Sequence, residues 1–409
     1  MIRGKLKKFI CITLVMCLSI GIGVVSFADG PAEAMRDLDE ATYARIMDNR
    51  VEWDEIENLV KYYNPSYRMA ADMIDNNLVT FSQGVDKDTE KLEQTKETIE
   101  DAIAQIDENI RAFKELPATQ VVDQYGTTAA QMIRMLNNQK TALKSNRSQV
   151  NSGISQYNGA YTKIKYQMTK QLSPIRKQLI QVIEGLFFTY NGLMLNRELV
   201  VKQIGIYEKV CSTQRTLKEQ GLATDIDIAS ADANLVKARN TLKTIDNGIY
   251  QVKVNIGLQT GYSAENVPEI GGVPAPDTNY VLSINPEEDR NRFVSEDGNV
   301  KSAEEYKDAA TKRIEGKINS ARMQAVNKYD LMYAGLLDKK AEYEVSSISA
   351  ERARLTKEQA RRQYELGMIS LTEYAAKELE CLSYESGVKS AALSYAQAIN
   401  EYKWTMDNL

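Results

Sequence analysis

The sequence predicts an all-α fold: long antiparallel coiled-coil helices in two structural repeats, with little or no β structure. Three observations carry this. The 409-residue chain holds only eight prolines, four of which (Pro268, Pro274, Pro276, Pro286) lie within 19 residues, and none follows Pro286. Proline breaks helix interiors, so proline-free tracts suit long helices. Two stretches carry sustained heptads. A glycine-centred turn occurs twice.

The first element is a leader. Arg3, Lys5, Lys7 and Lys8 precede an apolar stretch from Phe9 to Phe27, and Ser26-Phe27-Ala28 fits a small-residue cleavage site. Residues 1–28 therefore read as a signal peptide, with an uncleaved membrane anchor as the rival. Removing them takes away four cations and no acid, so the net charge moves from −5 to −9. That balance argues against a nucleic-acid partner. No other run of about 20 apolar residues occurs, so no transmembrane helix is expected after the leader. Cys211 and Cys381 are the only cysteines left. Both sit in helical patterns and read as buried thiols, with one bridge as the alternative.

Residues 29–65 form an N-terminal segment. Within a first helical repeat, 66–260, Val85, Leu92, Ile99, Ile106 and Phe113 recur every seven residues, with Ile103 and Ile110 on the second seam position. Leu136, Leu143, Val150, Tyr157 and Ile164 repeat the pattern, with Met132, Tyr161 and Met168 as partners. The matched runs favour an antiparallel coiled-coil hairpin over 85–164, turning near 117–127, over two separately packed helices. A third tract runs from Pro174, which starts or kinks it, to Gln220. A fourth fades near Gly257-Leu258. The proline-rich stretch 261–301 reads as a linker with one short extended piece at Tyr280–Ile284. The second helical repeat, 302–409, holds a tract from Ser302 to Leu366 and a last helix from Ser370 to Met406. A continuous helix of about 60 residues would reach roughly 90 Å.

The repeat lies in its turns. RTLKEQGLATDIDIASADANLVKARNTL and RRQYELGMISLTEYAAKELECLSYESGV align at a constant offset. Gly221 matches Gly367, Thr224 matches Ser370, and Asp227 matches Glu373. Glycine supplies the left-handed residue that ends a helix, and Thr224 and Ser370 are expected N-caps. Asp227 and Glu373, three residues on, complete capping boxes.

These turns lie within residues 182–242 and 351–402, which resemble the TolC-like outer-membrane efflux proteins, the exit ducts of drug pumps and type I secretion systems. The segment IENLVKYYNPSYRMAADMI, with Asn64-Pro65, is similar to that family as well. The resemblance implies a protomer of a helical barrel that assembles as a homotrimer in the cell envelope. It implies two partners, a membrane-fusion adaptor and an inner-membrane transporter. It also implies adaptor-contact tip turns at Gly221, Leu222, Ala223, Thr224 and Asp227, and at Gly367, Met368, Ile369, Ser370 and Glu373.

One departure matters. The family inserts strands that close a β-barrel in the outer membrane, where runs of about ten alternating residues are expected. The place for them in the second repeat, 313–341, is helical in pattern. In the first repeat it holds the heptad hairpin. The expectation is a helical body without the membrane pore, in the envelope or at the cell surface. Outer-membrane placement is expected only where the host has that membrane and strands escape this reading.

The sequence offers little for catalysis. It contains no histidine, which removes the commonest general base and transition-metal ligand. Carboxylate, lysine and cofactor chemistry are left open by that alone. Acid pairs such as Glu287-Glu288 and Glu304-Glu305 lack calcium-loop spacing. No phosphate loop, dinucleotide fingerprint or nucleophile elbow is present. No catalytic residue, metal site or cofactor is expected. The leading expectation is a non-enzymatic duct component of an efflux or type I-like export system. The alternative is a secreted coiled-coil surface scaffold or adhesion protein with no transport role.

Overall fold

Helix dominates the described residues, and side-chain caps start four of the six long helices. The structure is a computed structural model that describes residues 32–305 and 312–409. The signal segment read at 1–28 lies outside the described residues. In chain order the described helices are α1 (Ala32–Asp37), α2 (Glu40–Ile46), α3 (Ile56–Tyr63), α4 (Pro65–Lys114), α5 (Ala129–Lys170) and α6 (Leu172–Glu219). They continue as α7 (Asp225–Gln259), α8 (Tyr280–Ser283), α9 (Pro286–Glu296), α10 (Gly298–Glu304), α11 (Lys312–Glu365) and α12 (Leu371–Asp407). Two strands, β1 (Arg50–Val51) and β2 (Glu269–Ile270), pair in parallel. No described helix is long and apolar enough to cross a membrane. The chain divides into two units, residues 64–179 and residues 32–63 with 180–409.

The first unit is a helical hairpin. Asn64 caps α4 by accepting from the Tyr67 N–H, with Pro65 in the first turn, where its missing donor costs nothing. Thr128 and Gln131 form a capping box at the start of α5. Between them Gly126 takes φ 82°, and Asp123 accepts from the Tyr125 and Thr127 N–H groups. The seam residues from Val85 to Phe113 and from Met132 to Met168 named above are all buried or half-buried. Across the seam Phe81 stacks on Tyr161 with ring centroids 6.2 Å apart, and a Cβ on Gly153 would touch Leu92. Glu100 meets Arg147 at 3.6 Å, and Asp107 pairs with Lys140. These contacts advance along α4 as they retreat along α5, so the helices are antiparallel.

In the second unit, α7, α6, α12 and α11 pack side by side in that order. Arg215–Asp232 and Glu208–Arg239, each 2.8 Å, join α6 to α7. Lys389–Glu198 at 2.7 Å and Asn400–Glu184 at 2.8 Å join α6 to α12, around an apolar cluster of Ile206, Ala375 and Leu382. Tyr343 stacks on Tyr395, and Tyr364 on Tyr374, between α11 and α12. Neighbours run antiparallel throughout. Pro174 lies within the first turn of α6, where its missing N–H costs least. Cys211 and Cys381 are both buried free thiols.

The N-terminal segment is pinned to this unit by the β1–β2 pair. The Tyr262 hydroxyl donates to the Asp48 carbonyl at 2.6 Å. Trp53 sets its ring edge-on to Phe187 and Phe188 at 5.8 and 5.3 Å. A Cβ on Gly271 would meet only the carboxylate end of the Glu52 side chain, which would have to swing aside.

Two expectations for 261–304 change. Tyr280–Ile284, expected to be extended, is instead the helical turn α8 followed by an extended Ile284. The Asn279 N–H bonds the Asp277 side chain to start the turn, and Val281 is buried in the adjoining core. Tertiary packing overrides the strand propensity of a Tyr-Val-Leu-Ser-Ile run. The proline-rich stretch also contains α9 and α10. Asn285 caps α9 with Pro286 in its first turn, and Asp297 caps α10. Phe293 and Val300 bury against Tyr329 and Leu336 of α11 and Tyr402 of α12. The tract read as continuous from Ser302 therefore resolves into α10 and α11, and residues 306–311 lie outside the described residues.

Candidate functional site

The duplicated turns join α6 to α7 and α11 to α12. In the first, Gly221 adopts φ 77°, its N–H bonds the Lys218 carbonyl, and the Leu222 N–H bonds the Leu217 carbonyl, both at 2.8 Å. In the second, Gly367 adopts φ 70°, its N–H bonds the Tyr364 carbonyl at 2.9 Å, and the Met368 N–H bonds the Gln363 carbonyl at 2.8 Å. Both are Schellman ends that satisfy carbonyls left over at a helix terminus. A Cβ at either glycine meets no neighbour, so the left-handed backbone alone demands glycine.

The returning helices start the same way twice. Thr224 Oγ1 accepts from the Asp227 N–H at 3.3 Å, and Asp227 Oδ2 accepts from the Thr224 N–H at 2.8 Å. Ser370 Oγ accepts from the Glu373 N–H at 3.1 Å, and Glu373 Oε2 accepts from the Ser370 N–H at 2.8 Å. These bonds lower both carboxyl pKa values, the backbone N–H contributing most and the hydroxyl next. A depressed folded pKa stabilises above the ordinary carboxylate range and is lost as pH falls through the folded value. The turns should hold at neutral pH and loosen only in acid. Thr224→Ala or Ser370→Ala should each cost about 1 kcal/mol. Faster amide exchange confined to residues 224–227 or 370–373 would locate the loss.

The two turns share one end of the four-helix layer. Gln214, near the end of α6, donates to Thr372 in the first turn of α12 at 3.1 Å. Ala223 and Ile369 are half-buried, whereas Leu222 is 73% and Met368 68% exposed. Two further apolar side chains belong to this surface and escaped the sequence reading, Ile226 and Leu366. The available signal was an apolar residue flanking each capping segment. Lys218 pairs with Asp225 across the first turn. The second turn instead stacks Tyr364 on Tyr374 at 5.4 Å. Among the described residues, no group of three or more histidine, cysteine or acidic side chains is placed to hold a metal ion.

The fold and these turns define a class: a long-helix protein built on duplicated helical hairpins with matching, apolar-tipped turns. No family model matches the chain, and no curated protein matches it. Solved structures do. The outer membrane protein VceC from Vibrio cholerae is 16% identical over 59% of this chain and 74% of its own, with a TM-score of 0.37. The Campylobacter jejuni outer membrane channel CmeC is 11% identical over 95% of this chain and 90% of its own, with a TM-score of 0.42. The outer-membrane channel OprN is 10% identical over 95% and 98%, with a TM-score of 0.41.

Proposed function

We propose that this chain is a non-enzymatic, TolC-like duct component of an efflux or type I-like export system. It would work as a homotrimer with a membrane-fusion adaptor and an inner-membrane transporter, with 66–260 and 302–409 as its two repeats. The observation that carries this reading is the same capped turn, built twice at one end of an open layer of four antiparallel helices. The edges of that layer support assembly. At one edge α11 exposes Val345, Ile348 and Leu355; at the other α7 exposes Val236 beside Ala229 and Ala233. Apolar stripes of this kind favour association. Because the two edges differ, copies would join head to tail, and three such contacts close a ring when each turns the next copy by a third of a circle.

Two measurements test the reading. Light scattering should give about three times the monomer mass, and Ile348→Glu should lower it. A clean monomer at micromolar concentration would exclude the duct. Cysteines at Ala223 and Ile369 should crosslink to a co-encoded adaptor. Crosslinks only between copies of this chain would leave the turns purely structural and favour the surface scaffold.

A further inference from the structure

The α4–α5 hairpin segregates its charge. α4 carries eleven acidic and six basic residues, and α5 carries seven basic residues and no acid. Asp107–Lys140 and Glu100–Arg147 use part of this inside the hairpin. Lys96 pairs with Glu93 along α4 at 3.1 Å, and the exposed Lys87 interrupts an otherwise acidic outer face. Asp86, Glu90, Glu93, Glu97, Asp101 and Glu108 are exposed and recur at three-, four- and seven-residue steps, the spacing of one helix face. That face lies away from the seam of Leu92, Ile99, Ile103 and Ile110. On α5 the exposed cations are Arg134, Lys144, Lys163, Lys165 and Lys170.

We propose that this hairpin docks side by side with the hairpin of a second copy of this chain. The acidic outer face of α4 in one copy would meet the basic outer face of α5 in the next. Register supports that occupant. Placed antiparallel, as α4 and α5 already lie within one hairpin, Asp75 falls opposite Lys170, Asp86 opposite Lys163, Asp101 opposite Lys144, and Glu108 opposite Arg134. Four of the five exposed cations of α5 then meet an acid, and none of these eight residues forms an ion pair among the described residues. The contact is heterologous, so it repeats from copy to copy. It involves residues 64–179 alone, and so goes beyond the duct reading, which rests on the turns and edges of the other unit.

The test uses two differently tagged full-length chains, one Asp101→Cys and one Lys144→Cys, with Cys11 and Cys17 changed to serine in both. Co-produced and mildly oxidised, they should give a mixed-tag disulfide dimer. Each pair is exposed and screened, so raising salt from 0.1 to 1 M, where the Debye length falls from about 10 to about 3 Å, should reduce the yield. Asp101→Lys with Glu108→Lys, in a chain carrying its cysteine at Glu97, should cut crosslinking to Ser148→Cys several-fold. Adding Lys144→Glu and Arg134→Glu to the partner should restore it. A trimer by light scattering with no mixed-tag dimer would overturn the hairpin contact and leave the duct reading standing. A mixed-tag dimer in an assembly that is not a trimer would do the reverse. A monomer would overturn both.

Discussion

Phe187→Ala should destabilise the protein by about 3–5 kcal/mol, the range for deleting a fully buried aromatic ring. Phe187 has no solvent exposure, nor has Ile183 one turn earlier on α6. Trp53 packs edge-on against it at 5.8 Å, so the deletion leaves a void beneath the residue that docks the N-terminal segment. Val51 and Ile270, paired across β1 and β2, belong to the same segment and should loosen with it. The chain has two tryptophans, Trp53 and Trp404. In a Trp404→Phe background, Trp53 emission reports this junction directly. The variant's red shift should begin at lower denaturant than that of its parent. Val182→Ala, on a half-exposed face of the same helix, should change stability by no more than about 0.5 kcal/mol. If the two variants melted alike, Phe187 would not be holding the N-terminal segment in place.

What could be read from the sequence was local. Gly221, Thr224 and Asp227, and Gly367, Ser370 and Glu373, form the bonds their spacing implies, because Schellman ends and capping boxes involve residues within six positions. The heptads from Val85 to Ile164 were legible for the same reason: a seam writes its period along each helix. Nothing local announces that Arg50 pairs with Glu269, or that Trp53 sits on Phe187. Those partners are joined only by the folded chain. The Asn-Pro pairs show a finer limit. Asn64-Pro65 and Asn285-Pro286 both cap helices, yet proline reads equally as a helix's first turn or as a break. At the candidate site the turn geometry was legible. The exposure of Ile226 and Leu366 was not, since periodicity does not say which apolar residues are left uncovered.

Tyr402→Ala should be as damaging as Phe187→Ala, and Tyr402→Phe should separate its ring from its hydroxyl. Tyr402 and Tyr329 are each 1% exposed. Their hydroxyls lie 2.9 Å apart, and the Tyr402 hydroxyl donates to Asp289 at 2.7 Å, tying α9 to α11 and α12. Tyr280 meets the Tyr402 ring edge-on at 6.3 Å, with Lys403 over the Tyr280 face at 4.4 Å. Removing the ring should cost about 3–5 kcal/mol. Removing only the hydroxyl strands the buried Tyr329 hydroxyl and should cost about 1–3 kcal/mol. Burial, more than any hydrogen bond, raises the phenol pKa values of Tyr402 and Tyr329, and pushes Tyr280 up to about 12. A folded pKa above the unfolded value means the stabilisation is complete below about pH 10 and is lost as pH rises through the folded values. Tyrosinate absorbance should therefore lag behind that of free tyrosine on alkaline titration, then rise together with loss of helix. Smooth titration of all tyrosines near pH 10 in a still-helical protein would show that this cluster does not exclude water. With Tyr402→Phe the helix loss should come at lower pH, because the α9 anchor is already weakened.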